Sequence, residues 1–288
     1  MTKKRCIAVL SATALLFLVF TFLDLALSRA IISPETGFAR WVALTGDAPL
    51  YLLLDAAGVL LLLDGRIGKF RLFGILSLGL GLFFGANRFM GYAKEIEFSH
   101  GWIGFILTAV YAASVFLPLF FARKKMAERT WTVVAAALAA VALSLIVTNL
   151  LKMAAGRVRF EAMMGLNEYA GSALGEDAYT PWYVFHFRVS GDAMKSFPSG
   201  HTGSGAYCFA LWYLPVLFPS MPKWAKRVLL PLPILITFAI ALARVMMGAH
   251  FATDTLMAVL LSLGAFLLAE EVRLALLRRY DRKRGSLS

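Results

Sequence analysis

The stretch "WTVVAAALAAVALSLIVTNLL", residues 131–151, contains no charged residue and decides the fold of this chain. A helix needs about 20 mostly apolar residues to cross the hydrocarbon core of a bilayer. The stretch is therefore predicted to be a transmembrane helix. Lys152 follows it directly and marks the point where this helix reaches the membrane surface.

The rest of the chain has the same character. Of its 288 residues 60% are hydrophobic and only 16% are charged, with a mean hydropathy of +0.73, whereas soluble domains carry about 25% charged residues. We predict an all-α, polytopic membrane protein with eight transmembrane helices, six of which form the core. The predicted spans are residues 7–31, 49–64, 72–90, 102–121, 131–151, 203–219, 228–247 and 252–271. The second and third could instead form a re-entrant pair, which would leave the orientation unchanged.

The placement of the basic residues predicts the orientation. A net charge of +12 could indicate a nucleic-acid partner, but the basic residues lie in short clusters between apolar runs. Nineteen of the 29 lysines and arginines fall on the side of the predicted membrane that also holds both termini. Cytoplasmic loops carry such an excess. We therefore expect cytoplasmic termini, an integral membrane location in a bacterial inner membrane, and no nucleic-acid partner.

The first polar group is "KMAAGRVRF", residues 152–160, at the outer end of the fifth predicted span. Lys152 and Arg159 are seven residues apart, which is two helical turns, so they share a face if the helix continues. Arg157 lies off that face. Two cations on one face could together bind an anion. The alternative is that both side chains extend to the membrane surface from a helix end.

The second group is "KSFPSGHTGSG", residues 195–205. Ser196 is predicted to cap a helix, with Pro198 in the first turn, where a missing N–H costs nothing. Gly200 allows a ligand to approach the backbone closely. The helix N-terminus is a ready anion site, and His201 stands beside it. The alternative is a capped helix with an incidental histidine.

The third group is "ARVMMGAHFATD", residues 243–254. Arg244 ends the seventh predicted span, and His250 and Asp254 are four residues apart at the start of the eighth. This spacing can place a carboxylate against an imidazole nitrogen and fix its tautomer. The alternative is an ion pair that only supports the structure, although charged residues at membrane depth are usually functional.

The predicted topology places all three groups at the outer membrane face. Cations, a helix N-terminus and two histidines together indicate phosphoryl transfer by electrostatic stabilisation and a histidine nucleophile. Two histidines and one carboxylate are a poor ligand set for zinc or magnesium. We therefore expect no metal and no cofactor.

These motifs resemble those of the type 2 phosphatidic acid phosphatase (PAP2) superfamily. That family shows Lys-x6-Arg-Pro, Pro-Ser-Gly-His and Ser-Arg-x5-His-x3-Asp, and residues 130–272 carry the same groups in the same order and spacing. Phe160 stands in place of the usual proline and Ala243 in place of the usual serine. Neither change removes a group that transfers a proton or a phosphoryl group, so the resemblance implies an active enzyme.

The resemblance implies a role for each matched residue. His250 would be the nucleophile and form a phosphohistidine, His201 would protonate the leaving alcohol, and Asp254 would orient His250. Water would then release the phosphate without a metal. The residues implied to bind phosphate are Lys152, Arg159, Ser199, Gly200 and Arg244.

The expected substrate is a membrane lipid phosphate or diphosphate, hydrolysed at the outer, periplasmic face; no protein partner can be inferred. The alternatives are a phosphotransferase with the same phosphohistidine and a non-catalytic lipid-phosphate transporter.

We divide the chain into N-terminal helices without a motif (1–100), a catalytic membrane core (101–272) and a basic cytoplasmic tail (273–288). The outer loop 160–195 is expected to be a lid or an interfacial anchor.

Two acidic residues in the N-terminal helices stand apart from these motifs. Asp24 and Asp55 lie within or near apolar runs, where ionisable residues are functional candidates by default. Both could instead pair with Arg29 or with other helices, and we expect neither to be catalytic.

Overall fold

The computed structural model describes residues 3–64, 68–95, 113, 130–166, 173–187, 189 and 191–285, whose regular secondary structure is helical. These residues contain no strand, so the all-α prediction is confirmed for them. The α-helices are α1 Lys3–Phe20, α2 Asp24–Ile31, α3 Gly37–Thr45, α4 Ala48–Leu63, α5 Arg71–Glu95, α6 Thr130–Ala155, α7 Phe160–Met163, α8 Gly200–Ala206, α9 Leu214–Leu217, α10 Lys223–Val228, α11 Leu232–Met246 and α12 Ala252–Gly285. Short 3₁₀ helices cover Gly68–Phe70, Glu176–Ala178, Asp192–Met194 and Tyr207–Tyr213.

Four helical stretches of the described chain are long and apolar enough to cross a membrane. They are Gly37–Leu63, Thr130–Met163, Lys223–Met246 and Ala252–Arg282, and the pair α1 and α2 would add a fifth if it forms one broken span. The protein is therefore a membrane protein with several spans. The count of eight stays a prediction, and the predicted span 102–121 lies outside the described residues except for residue 113.

The first predicted span, 7–31, is not one straight helix. It divides into α1 and α2, which are bent by 90° relative to each other. At the bend Thr21 donates its hydroxyl hydrogen to the Phe17 carbonyl at 2.8 Å, a bond that competes with the regular helix ladder. The bend turns Asp24 into the protein, where 1% of its surface is exposed. A carboxylate in hydrocarbon would be costly, and the bend gives it buried polar partners.

The core forms where α6 and α12 pack together and against the helical segment 200–217. Small residues allow the helices to approach closely, and the hydroxyls of Ser144 and Ser262 lie 3.0 Å apart between α6 and α12. Below them the buried Tyr207 and Phe266 fill the apolar interior. This packing brings the end of α6, the start of α8 and the start of α12 to one end of the bundle.

The predicted span 203–219 is also interrupted. The segment begins as α8, continues as the 3₁₀ helix Tyr207–Tyr213, and returns to α-helix in α9. Gly205 allows tight packing near the end of α8, because a Cβ at this position would lie 2.8 Å from the Cδ1 of Ile240. The segment therefore packs directly against α11, which carries Arg244 at its end.

Candidate active site

The first polar group is split by the end of α6. The helix stops at Ala155, and Gly156 adopts φ +58°, the left-handed conformation typical of a helix C-terminus. Lys152 therefore lies on the helix, whereas Arg159 follows it in extended conformation. The expected shared helical face does not form, because the glycine ends the helix before the second turn is complete.

Lys152 lies against the second group. Its Nζ donates to the carbonyl of Lys195 at 2.8 Å, and a Cβ on Gly200 would lie 3.9 Å from its Cε. The ammonium group and the start of α8 therefore meet at the same point, although they come from separate parts of the sequence.

The cap of α8 is Ser199, not Ser196 as the sequence suggested. The Ser199 Oγ accepts from the Thr202 N–H at 3.3 Å and from the Thr202 hydroxyl at 3.0 Å, and the helix begins at Gly200. Pro198 consequently precedes the cap and does not lie in the first turn. The first N–H groups of a helix have no partner within it, so the backbone at Gly200 presents donors beside Lys152.

Ser196 has a different function, because a carboxylate competes for its hydroxyl. The Ser196 Oγ donates to Oδ2 of Asp254, and the Ser196 carbonyl oxygen lies 2.6 Å from Nδ1 of His250. The Asp254 Oδ2 itself is 3.8 Å from that nitrogen, which is too long for a hydrogen bond. The carboxylate thus contacts the imidazole mainly through Ser196.

This geometry decides the tautomer of His250. A carbonyl oxygen only accepts hydrogen bonds, so Nδ1 must carry the hydrogen, and in the neutral ring Nε2 keeps its lone pair. The ring is 2% exposed. A fixed, buried imidazole with an available Nε2 can act as a nucleophile.

Asp254 is held by further buried donors. One carboxylate oxygen accepts from Arg157 at 2.6 Å, and the other accepts from the backbone N–H of Phe251 at 2.8 Å. Arg157, which the sequence placed off the phosphate-facing side, is 1% exposed and also pairs with Asp24 at 3.0 Å. Sequence reasoning missed Arg157, Ser196 and Asp24 as parts of this network. The acidic Asp24 within an apolar run was the one signal that could have indicated it.

Two arginines, Arg244 and Arg159, are near enough to His250 to act on its charge. Arg244 and Arg159 each have a buried Nε that has no hydrogen-bond partner among the described residues. The guanidinium of Arg159 contacts Glu161 at 3.2 Å and Asp192 at 2.7 Å. Asp192 is 71% exposed, so an incoming anion can replace this carboxylate while the arginine stays in place.

The second histidine, His201, also has a buried Nε2 without a hydrogen-bond partner among the described residues. Burial lowers the pKa of His201 well below 6.5, and the nearby Arg244, His250, Arg88 and Lys152 lower it further. The same electrostatic interactions show that residues of all three groups lie close to this ring. In the free protein His201 is therefore neutral at pH 7.

His250 is neutral as well. Burial lowers its pKa to about 3, the nearby Asp254 carboxylate opposes that shift, and Lys152 and Arg244 add to it. The imidazole that a nucleophile requires is thus present across the physiological pH range.

The described part of the loop 160–195 packs over the bend between α1 and α2. The Trp182 Nε1–H donates to the Thr21 hydroxyl at 3.0 Å, and the ring centroids of Trp182 and Phe17 are 4.8 Å apart. Trp182 also stacks near Phe197 at 6.1 Å, next to the Pro-Ser-Gly-His turn. Arg29 forms an ion pair with Glu176. The loop therefore borders the site, and its function as a lid stays a prediction.

The two departures from the family pattern are accommodated by packing. Phe160 is 1% exposed and its ring meets the Phe251 ring edge-on at 6.1 Å. Ala243 is 0% exposed, so its methyl group is enclosed beside Arg244. Both residues support the backbone on either side of the candidate site.

In a comparison with protein-family models, the PAP2 superfamily model matches residues 133–275. The matched range contains Lys152, Arg159, His201, His250 and Asp254. It excludes α1 to α5, and with them Asp24. Comparisons with curated proteins and with solved structures give no match.

Proposed function

Because the chain belongs to the PAP2 superfamily, whose members are generally phosphatases, we propose that it hydrolyses a lipid phosphate or diphosphate through a phosphohistidine. The observation that carries this proposal is the 2.6 Å contact between His250 Nδ1 and the Ser196 carbonyl. It leaves Nε2 as the nucleophilic atom. Binding alone would need the cations but no oriented imidazole.

In the first step the lone pair of His250 Nε2 attacks phosphorus, and the bond from phosphorus to the leaving oxygen breaks. His201 donates its proton to that oxygen, so the lipid alcohol (or lipid monophosphate, from a diphosphate) leaves. The ring of His250 then carries positive charge, which the Ser196 carbonyl and the Asp254 carboxylate stabilise. In the second step water attacks phosphorus, His201 takes the water proton, and phosphate and free His250 are released.

The phosphate oxygens are proposed to bind between Lys152, Arg159 and Arg244. The Ser199 hydroxyl and the Gly200 N–H supply further donors at the start of α8. Donors fixed before the reaction stabilise the charge that develops in the transition state without reorganising. Arg159 would exchange its contact with the exposed Asp192 for the substrate.

The membrane helices support a lipid substrate. Large apolar side chains are exposed along the helices around the bundle, among them Leu150 at 61% and Phe238 at 63%, and such surface suits lipid tails. The basic clusters favour an orientation with cytoplasmic termini and a site at the outer face. A substrate whose headgroup lies at the membrane surface can then reach His250 while its tails stay in the bilayer.

A phosphate-release screen tests the proposal. We expect purified protein in detergent to release inorganic phosphate from at least one of phosphatidic acid, phosphatidylglycerophosphate, lipid A phosphates and undecaprenyl diphosphate, and to do so in excess EDTA. Transfer of labelled phosphate to a lipid alcohol without free phosphate would indicate a phosphotransferase. Tight binding without turnover would indicate a binding protein or transporter. A requirement for an added divalent ion would contradict the metal-free mechanism.

The proton on His201 gives a testable pH dependence. Burial and then Arg244 lower the pKa of His201 well below 6.5 in the free protein, and a bound phosphate offsets the cations and raises it. A general acid is lost as the pH rises through its pKa. The pH dependence of kcat/KM reports the free enzyme, and that of kcat reports the substrate complex. We therefore expect kcat/KM to decrease as the pH rises, with a midpoint below pH 6.5. We expect kcat to decrease as well, but with its midpoint at a higher pH.

Initial rates measured between about pH 4 and about pH 9 give the pH dependence of both kcat and kcat/KM. In His201→Asn the alkaline limb of kcat should disappear. Coinciding limbs for kcat and kcat/KM, unchanged in the variant, would assign that proton to another group.

A further inference from the structure

Arg157 lies between two carboxylates in the interior of the protein. Its NH1 donates to Asp254 at 2.6 Å, its NH2 donates to Asp24 at 3.0 Å, and its Nε donates to the Thr180 carbonyl at 2.8 Å. Its guanidinium also lies 4.1 Å from the centroid of the Phe251 ring. The two carboxylates are 0% and 1% exposed. Arg157 therefore couples Asp254 to an acidic residue of α2, outside the range that the family model matches.

Asp24 also holds the start of α12. Its Oδ1 accepts from the backbone N–H of Thr253 at 2.9 Å, and its Oδ2 accepts from the Thr253 hydroxyl. The first N–H groups of a helix lack partners within the helix, and a carboxylate there is favoured by the helix dipole. A residue of α2 thus caps α12 from a distance and fixes the backbone immediately before Asp254.

The contacts of Asp254 continue to His250. Asp254 accepts from the Ser196 hydroxyl, and the Ser196 carbonyl accepts from His250 at 2.6 Å. A shift of Asp254 would displace Ser196 and thereby rotate the imidazole. Misplacement of a reacting group by about 1 Å can lower a rate about 100-fold.

The charges of this cluster favour the reaction as well. Asp24 and Asp254 share the single positive charge of Arg157, which leaves one net negative charge within these three side chains. That charge stabilises the positive imidazole that forms when Nε2 bonds to phosphorus. Without the charge of Asp24, Arg157 would neutralise Asp254 completely.

We infer that Asp24 is a positioning residue of the active site, which acts on His250 through Arg157, Thr253 and Asp254. The bent N-terminal helices are then part of the catalytic unit and do not serve only as membrane anchors. This inference rests on the proposed function, because it assigns Asp24 to the phosphoryl-transfer step.

Asp24→Asn tests the inference with little change in volume. The amide oxygen can still accept from the Thr253 N–H, but the negative charge is lost. We expect kcat to fall about 10- to 100-fold, with a matching decrease in the rate of phosphohistidine formation. KM should stay within about twofold of the wild-type value. Asp24 does not contact the cations proposed to bind phosphate, so substrate binding should not change.

Ser28→Ala is the matched control. Ser28 lies one turn after Asp24 on α2 and is 0% exposed, and its hydroxyl has no hydrogen-bond partner among the described residues. This variant should keep wild-type kcat and KM. The double variant with Asp24→Asn and Arg157→Gln should lose less than the product of the two single losses, because the residues act as one unit.

A folded Asp24→Asn protein with wild-type kcat would overturn the inference, as would a lower melting temperature with unchanged kcat. If Asp24→Asn does not fold, Asp24→Glu takes its place, since it keeps the charge and moves the carboxylate by one methylene; a wild-type kcat there would equally overturn it. Wild-type protein without phosphate release would overturn the proposed function and this inference together. If the wild-type protein is active and the Asp24 variant has the same kcat, only this inference is overturned.

Discussion

His250→Ala is expected to lower kcat by about 10⁴-fold or more, because removal of a catalytic nucleophile leaves only binding and electrostatic stabilisation. The variant should also form no acid-labile phosphoenzyme. The reason is the geometry of the ring, whose Nδ1 is 2.6 Å from the Ser196 carbonyl and whose Nε2 is therefore the proposed nucleophilic atom. Rapid quenching with labelled lipid phosphate measures the phosphoenzyme, and steady-state phosphate release measures kcat.

His186→Ala is the control for this experiment. His186 lies in the loop 160–195, its side chain is exposed, and its backbone N–H bonds to the Ala155 carbonyl at 3.2 Å, a bond that the substitution leaves in place. Wild-type turnover in this variant would show that loss of a histidine does not by itself abolish activity. Phosphoenzyme of normal amount in His250→Ala would assign the nucleophile to another residue.

His201→Asn should have an effect that depends on the leaving group. For an alkyl lipid phosphate we expect kcat to fall about 10²- to 10⁴-fold, the typical contribution of a general acid. For an aryl phosphate whose phenol is acidic the loss should be much smaller, because that oxygen leaves without a proton. The phosphoenzyme should still form from the aryl substrate, since His250 is intact.

Comparing kcat for the two substrates separates this function from simple binding. If His201 only helped to hold phosphate, both substrates would lose activity by the same factor and mainly through KM. Equal losses in kcat/KM for the alkyl and the aryl substrate would therefore contradict the general-acid assignment. The experiment addresses the buried Nε2 of His201, which has no hydrogen-bond partner in the part of the chain that the structure describes.

Much of the fold follows from local properties of the chain. The apolar run 131–151 became the main part of α6, because a segment without charges can satisfy its backbone in a membrane only as a helix. The start of α12 after His250 was likewise predicted. The break of the first span into two helices was not predicted, because it depends on which buried groups pair with the carboxylate of Asp24. The 3₁₀ interruption of 203–219 was not predicted either.

The candidate site was likewise predictable from the sequence only in part. The spacing of Lys152, His201, His250 and Asp254 could be recognised in the sequence, since each short motif is a local feature. The capping residue was misassigned because Ser196 and Ser199 are equally good caps by composition, and only the nearby carboxylate of Asp254 decides between them.

Hydrophobicity, charge and motif spacing are properties of adjacent residues, so they are enough to predict a polytopic helical membrane protein with motifs typical of phosphate binding. Contacts between residues far apart in the sequence arise only when the chain folds. The tertiary structure placed Asp24 against Arg157, a separation of 133 residues, and Ser196 between His250 and Asp254. The physical reason is that a buried charge takes whichever partner the fold brings within hydrogen-bond distance, and no local pattern specifies that partner.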